Sequence, residues 1–222
     1  MTATISGSSA ILGAARTLAA KLLLAIPIDR AALTEAMTES SGGNDAAGAW
    51  TQRESFEALE VALAMAIPEL VGRMDAGAAI GTLEALAREL PTHTVRSEDQ
   101  IAFQQFSTPP ALACLAVHLA RLGSEDIFLE PSAGTGIIAA LARGAVKQFL
   151  LNELEPTRAE LLEGLFPGSS VYRHDGAKIA ALLRTQLPRP VSTWSRKAMI
   201  MSGPRSSISR SVGRRFSRSA AN

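Results

Sequence analysis

The 222 residues hold a single cysteine, Cys114, so an internal disulfide is excluded and the core must hold the fold. Histidine is nearly as scarce: His93, His118 and His174 stand apart, and no Cys/His spacing resembles a zinc site. Aromatic residues make up only 5% of the chain. The phosphate-cradling pattern G-x-x-x-x-G-K-[ST] does not occur, which leaves triphosphate binding through such a loop unsupported. A membrane-spanning run is also lacking. The apolar stretch over residues 10–28 carries Arg16 and Lys21 and runs into Pro27, with no basic region ahead and no clear cleavage site after it. It is expected to be an amphipathic core helix, not a signal peptide or a membrane span. A cytoplasmic location with no membrane partner is the corresponding expectation.

Acidic residues are missing from one end. The last is Asp175. Residues 1–175 hold 12 Lys and Arg against 21 Asp and Glu, a balance of −9, whereas residues 176–222 hold 10 Lys and Arg and no acid. So sharp a switch is unusual inside one domain. What remains is an ordinary globular composition, 47% hydrophobic and rich in alanine, which favours helices. The length suits one or two domains.

Residues 1–95 read as a helical region. Asp29 is placed to cap a short helix reaching about Met37. Residues 40–45, S-S-G-G-N-D, form a loop. Thr51-Gln52-Arg53-Glu54 is a capping box, opening a helix with Phe56, Leu59, Leu63 and Ile67 near one face. Pro68 is placed to begin another. Ile80, Leu83, Leu86, Ala87 and Leu90 predict one more, stopped by Pro91. The polar connection over residues 91–96 is the expected boundary.

Residues 96–187 alternate. Helix is predicted over 111–122, strand over 126–130, helix from 137 to about 144, strand over 148–152, helix over 156–166, strand over 171–174 and helix over 178–186. That order implies a parallel α/β sheet with covering helices. The strands end at Glu130, Glu153 and Asp175, and open parallel sheets bind ligands beyond the carboxyl ends of their strands. Beyond residue 188 the chain is a basic Ser/Arg-rich tail with no clear period.

The stretch D-I-F-L-E-P-S-A-G-T-G-I-I-A-A-L-A, residues 126–142, reads as strand, tight glycine loop and helix. Gly134, Gly136 and Ala139 fit the loose pattern G-x-G-x-x-A, which a purely structural glycine turn would also satisfy. Pro131, Ser132 and Ala133 separate the strand from its first glycine, a wider gap than nicotinamide sites usually show. Glu153 lies 19 residues beyond Gly134, where a carboxylate can accept both ribose hydroxyls. Asp175, after V-Y-R-H, can accept from an adenine amine or cap the segment that follows. Ser107-Thr108-Pro109 forms a polar turn suited to an amino-acid carboxylate, or a helix cap.

Taken together, F-S-T-P-P, L-E-P-S-A-G-T-G, N-E-L-E-P and H-D resemble the motifs of class I S-adenosylmethionine-dependent methyltransferases, specifically the amino-methylating DNA methyltransferases. The order D-A-A-G-A-W, L-P-T-H-T, Q-Q-F-S-T-P, L-E-P-S-A-G-T-G, L-N-E-L and R-H-D is similar to the N-terminal methyltransferase region of large bacterial methylase–helicase proteins of the strawberry-notch type, over about residues 10–187. The resemblance implies an incomplete Rossmann-like sheet, S-adenosyl-L-methionine as cofactor, DNA as partner, and a helicase portion or another chain completing the fold. It places Ser107, Thr108 and Pro109 at the methionine end. It makes Glu130, Pro131, Ser132, Ala133, Gly134, Thr135 and Gly136 the cofactor loop, Asn152 and Glu153 the ribose site, and Asp175 the adenine site.

The amino-methylating enzymes also need a fourth-strand motif [DNS]-P-P-[YFW], whose polar and carbonyl groups accept from the target amine while its ring stacks on a flipped base. No such tetrapeptide occurs; the only Pro-Pro is Pro109-Pro110. No catalytic residue is therefore assigned. The chain is expected to be a truncated or frame-shifted product that binds cofactor without turnover. Two other readings remain open. One is a nicotinamide-dependent oxidoreductase domain, which leaves Ser107-Thr108-Pro109 unexplained. The other is a non-enzymatic module whose basic tail binds nucleic acid through phosphate neutralisation.

Overall fold

The computed structural model describes residues 7–92 and 107–179. The fold is mixed α/β, with a helical half ahead of a small parallel sheet. Helix α1 (Gly7–Leu23) buries Ala10, Ile11, Ala14, Ala15, Leu18, Ala19 and Leu22, a stripe of helical period. It is the core helix expected. Among the described residues, no helix is long and apolar enough to cross a membrane. The helix closes with Ala25 at φ 54, the Ala25 N–H donating to the Leu22 carbonyl (3.1 Å) and the Ile26 N–H to the Lys21 carbonyl (2.9 Å). Those two bonds make a Schellman ending, with alanine where glycine is usual.

Asp29 caps α2 (Arg30–Ser41), its Oδ1 accepting from the Ala32 N–H at 2.8 Å. This helix runs past the expected end near Met37 and stops where Gly42 turns left-handed at φ 73. In α3 (Gln52–Val71) the capping box forms in both directions between Thr51 and Glu54. Pro68 does not begin a new helix. It lies inside the last turn of α3, where its missing N–H removes one hydrogen bond and its fixed φ still suits the helix. The Gly72 N–H bonds back to the Pro68 carbonyl at 3.1 Å and completes that turn. Asp75 caps α4 (Ala76–Glu89), which ends ahead of Pro91 as the sequence requires.

The second half holds α5 (Pro110–Ala120), β1 (Ile127–Glu130), α6 (Ile137–Leu141), β2 (Gln148–Asn152), α7 (Pro156–Leu165), β3 (Ser170–Tyr172) and one 3-10 turn, Gly176–Lys178. The strands are parallel in the order β1-β2-β3, with Leu129 opposite Leu150 and Leu151 opposite Val171. Two crossovers of the same hand between successive neighbours put α6 and α7 on one face. That face carries Phe128, Phe149, Leu151 and Val171, and Phe149 lies between Phe128 (5.4 Å) and Phe166 (5.7 Å). Leu129, Leu150, Tyr172 and Ile179 form a small separate cluster on the other.

The two halves share one core. Helix α3 packs on α6, and α1 packs on α7. The α1–α7 approach is close enough that a Cβ on Gly164 would come within 2.7 Å of Leu12 Cδ1. The connection over residues 93–106, the predicted helix over 178–186 beyond Ile179, and the basic tail over residues 188–222 lie outside the described residues.

Candidate functional site

The loop after β1 is shaped by two left-handed glycines, Gly134 at φ 54 and Gly136 at φ 88. Around it the strand ends are tied together. Asn152, 1% exposed, donates from Nδ2 to the carbonyls of Pro131 (2.9 Å) and His174 (2.8 Å) and accepts the His174 N–H at Oδ1 (3.0 Å). Its side chain therefore joins the ends of all three strands and presents nothing to a ligand. Glu130 is buried at the end of β1, and Pro131 is buried beside it.

Glu153, 19 residues beyond Gly134, reaches back to the loop. Its Oε2 accepts the Gly134 N–H at 2.8 Å and its Oε1 accepts the Glu155 N–H at 3.0 Å. Two backbone donors use about half of the acceptor directions of this buried carboxylate. Asp175 takes its capping role: Oδ1 accepts the Ala177 N–H at 3.0 Å, and Lys178 Nζ lies 3.5 Å from Oδ2. The same turn presses on the loop, since a Cβ on Gly176 would lie 2.9 Å from the Pro131 carbonyl oxygen.

A cleft of about 140 Å³ opens between this loop and the start of α5. Ser107, Thr108 and Pro109 line it together with Ser132, Ala133, Gly134 and Thr135 of the loop and Glu60 and Leu63 of α3. Glu130, Pro131, Gly136, Asn152, Glu153 and Asp175 do not line it. A second cavity of about 310 Å³ adjoins it and shares Glu60, Leu63, Ser107, Pro109, Pro110 and Arg158.

Three chemically important residues carry no obvious mark in the sequence: Glu57 and Glu60 of α3, and Arg158 of α7. Arg158 is 3% exposed. Its Nε donates to Glu57 Oε1 at 3.0 Å, and its Nη2 lies 4.0 Å from Glu60 Oε2. Burial works against the charged guanidinium, but the carboxylates of Glu60, Glu57 and Glu153 outweigh it, and the Arg158 pKa lies above its ordinary value. Arg53 closes the far side at 3.1 Å from Glu57. Glu60 accepts the Ser107 hydroxyl at Oε1 and the Thr135 hydroxyl at Oε2 (3.0 Å). Helix α5 opens with no side-chain cap, so the Ser107 hydroxyl serves Glu60 instead. The carboxylate received by the Ser107 turn is one of the chain's own. Among the described residues, no group of three or more His, Cys, Asp or Glu side chains could hold a metal ion.

No protein-family model, no curated protein and no solved structure matches this chain.

Proposed function

We propose that this chain is the cofactor-binding part of an S-adenosylmethionine-dependent N-methyltransferase acting on an exocyclic amine of DNA. One observation carries the reading. Ser107-Thr108-Pro109 and Ser132-Ala133-Gly134-Thr135, more than 20 residues apart in sequence, line one cleft, and Glu153 is hydrogen-bonded to the same loop. A dinucleotide site needs the glycine loop and the acid but not the Ser-Thr-Pro turn. Three parallel strands in the order β1-β2-β3, with both crossover helices on one face, agree with half of a Rossmann-like sheet.

The residues fit the cofactor unevenly. The cleft is amino-acid sized and has hydroxyls, a carboxylate and a guanidinium at its edge, which suits the methionine end. Glu153, bonded to the Gly134 N–H, is the acid proposed for the ribose hydroxyls. Asp175 lies outside the cleft and is occupied as a cap, so its adenine role has less support. When bound, the cofactor would supply an electrophilic methyl group. Turnover also needs the [DNS]-P-P-[YFW] tetrapeptide, which this sequence does not contain, so binding without methyl transfer is expected. Calorimetric titration of the full chain with S-adenosylmethionine, with NAD as the control, tests this. Saturable binding lost in Glu153→Ala supports the reading, and a preference for NAD contradicts it.

A further inference from the structure

The cleft shows a second level of order in its proton positions. The Ser107 and Thr135 hydroxyls both donate to Glu60. Each hydroxyl has one proton, so a group entering the cleft meets only their lone pairs. The carboxylate of Glu60 adds more acceptor oxygen. The nearest guanidinium, Arg158, gives its Nε to Glu57 and holds Nη2 4.0 Å from Glu60 Oε2, so its charge is turned on the two carboxylates. Arg158 and Arg53 bring two positive charges to the carboxylates of Glu57, Glu60, Glu153 and Glu155, so the local balance is negative.

An anion in this position would have to turn both hydroxyl protons away from Glu60 and lie beside a carboxylate. A primary ammonium needs neither change. It brings three N–H donors to the Glu60 carboxylate and the two hydroxyl oxygens that meet on it. Glu60 is also placed for exchange, because its side chain is 28% exposed whereas that of Glu57 is 3% exposed. Glu57 holds Arg158 inside the core; Glu60 stands at the edge of the cleft.

We infer that Glu60, contributed by the helical leader, reads a primary ammonium, the α-amino group of an amino-acid-bearing ligand, together with the Ser107 and Thr135 hydroxyl oxygens. For the ligand's identity this rests on the cofactor reading above; the preference for a cation does not. The helical half thus sets specificity in a cleft built mostly from the α/β half.

Two pairs of probes separate the claims. The first pair is L-methioninamide, which has the ammonium and no carboxylate, and N-acetyl-L-methionine, which has the carboxylate and no ammonium. Ligand-observed magnetic resonance on the full chain should show the amide bound in preference, with Glu60→Gln weakening it about tenfold or more, as expected for loss of one charge-assisted hydrogen bond. Glu60→Asp should retain part of the preference, and unchanged thermal midpoints will show that both variants fold. The second pair is S-adenosylhomocysteine and 5′-methylthioadenosine, which lacks the amino-acid end. Glu60→Gln should weaken the former and leave the latter unchanged. Preference for N-acetylmethionine, absence of methioninamide binding, or equal or tighter binding by Glu60→Gln overturns the inference; the last result would make Glu60 a plug. Binding of methioninamide that depends on Glu60, with no binding of either nucleoside, would sustain it while defeating the cofactor reading.

Discussion

Gly134 and Gly136 are two residues apart in one loop, yet an added methyl group meets different surroundings at each. A Cβ on Gly134 would have only Arg158 Nη1 nearby, at 4.0 Å, so Gly134→Ala should cost the left-handed backbone term alone, about 1–2 kcal/mol. A Cβ on Gly136 would come within 2.7 Å of Phe166 Cε2 and 3.0 Å of Leu162 Cδ2. Gly136→Ala should add an overpacking cost of about 1–3 kcal/mol to the same backbone term. Urea denaturation of the two variants checks the difference; equal losses would contradict the packing of this loop on α7. Cys114 gives a second residue-scale test. Burial raises its thiol pKa, so near neutral pH the thiolate fraction is lower than in a free cysteine. Alkylation of the native chain should be slower than that of the urea-unfolded chain at the same pH, and equal rates would show that the thiol is open. At this scale the sequence was a good guide to the loop, because a positive φ and a short apolar strand are local properties. It was a poorer guide to Asn152, whose value lies in two other strand ends 21 and 22 residues away.

The decisive contact between elements is the one between α3 and α7. The Arg158–Glu57 pair is almost fully buried, and the two residues are 101 positions apart. Removing only the cation leaves a carboxylate in the core, so Arg158→Met should destabilise the fold by about 3 kcal/mol, moderated by Arg53. Pairing it with Glu57→Gln should cost less than the sum of the single losses. Thermal or urea unfolding of the double-mutant cycle reads this directly, and strict additivity would show that the pair is not coupled. These residues were the part of the site that the sequence concealed. Glu57 and Glu60 lie among Phe56, Leu59 and Leu63, and the period of a helix says which face is buried without saying that a charge on its flank will meet a partner on another helix. Pro68 is the converse case. A proline after a helical run reads equally as a start or as a tolerated last turn, and the packing of α3 through Val71 decides for the second.

At the scale of the molecule, a helical leader and a parallel sheet share one hydrophobic core, and the candidate cleft lies on the seam between them. The alternation of strands and helices was legible in the sequence, and β2 falls where expected, on Gln148–Asn152. That the leader would line the cleft was not legible, because nothing in residues 52–71 announces that they pack on α6. A shared core has a mechanical consequence. Amide hydrogen exchange at rising denaturant should expose α3 and β2 together, and opening of the leader first would contradict it.

The most direct test of the central claim is calorimetric titration of residues 1–222 with S-adenosylmethionine against NAD, repeated on Glu153→Ala and Gly134→Val. If the cleft is a methyltransferase cofactor site, S-adenosylmethionine binds saturably, NAD does not compete, and both substitutions abolish the signal. A folded chain that binds neither compound, or that binds NAD in preference, would contradict it.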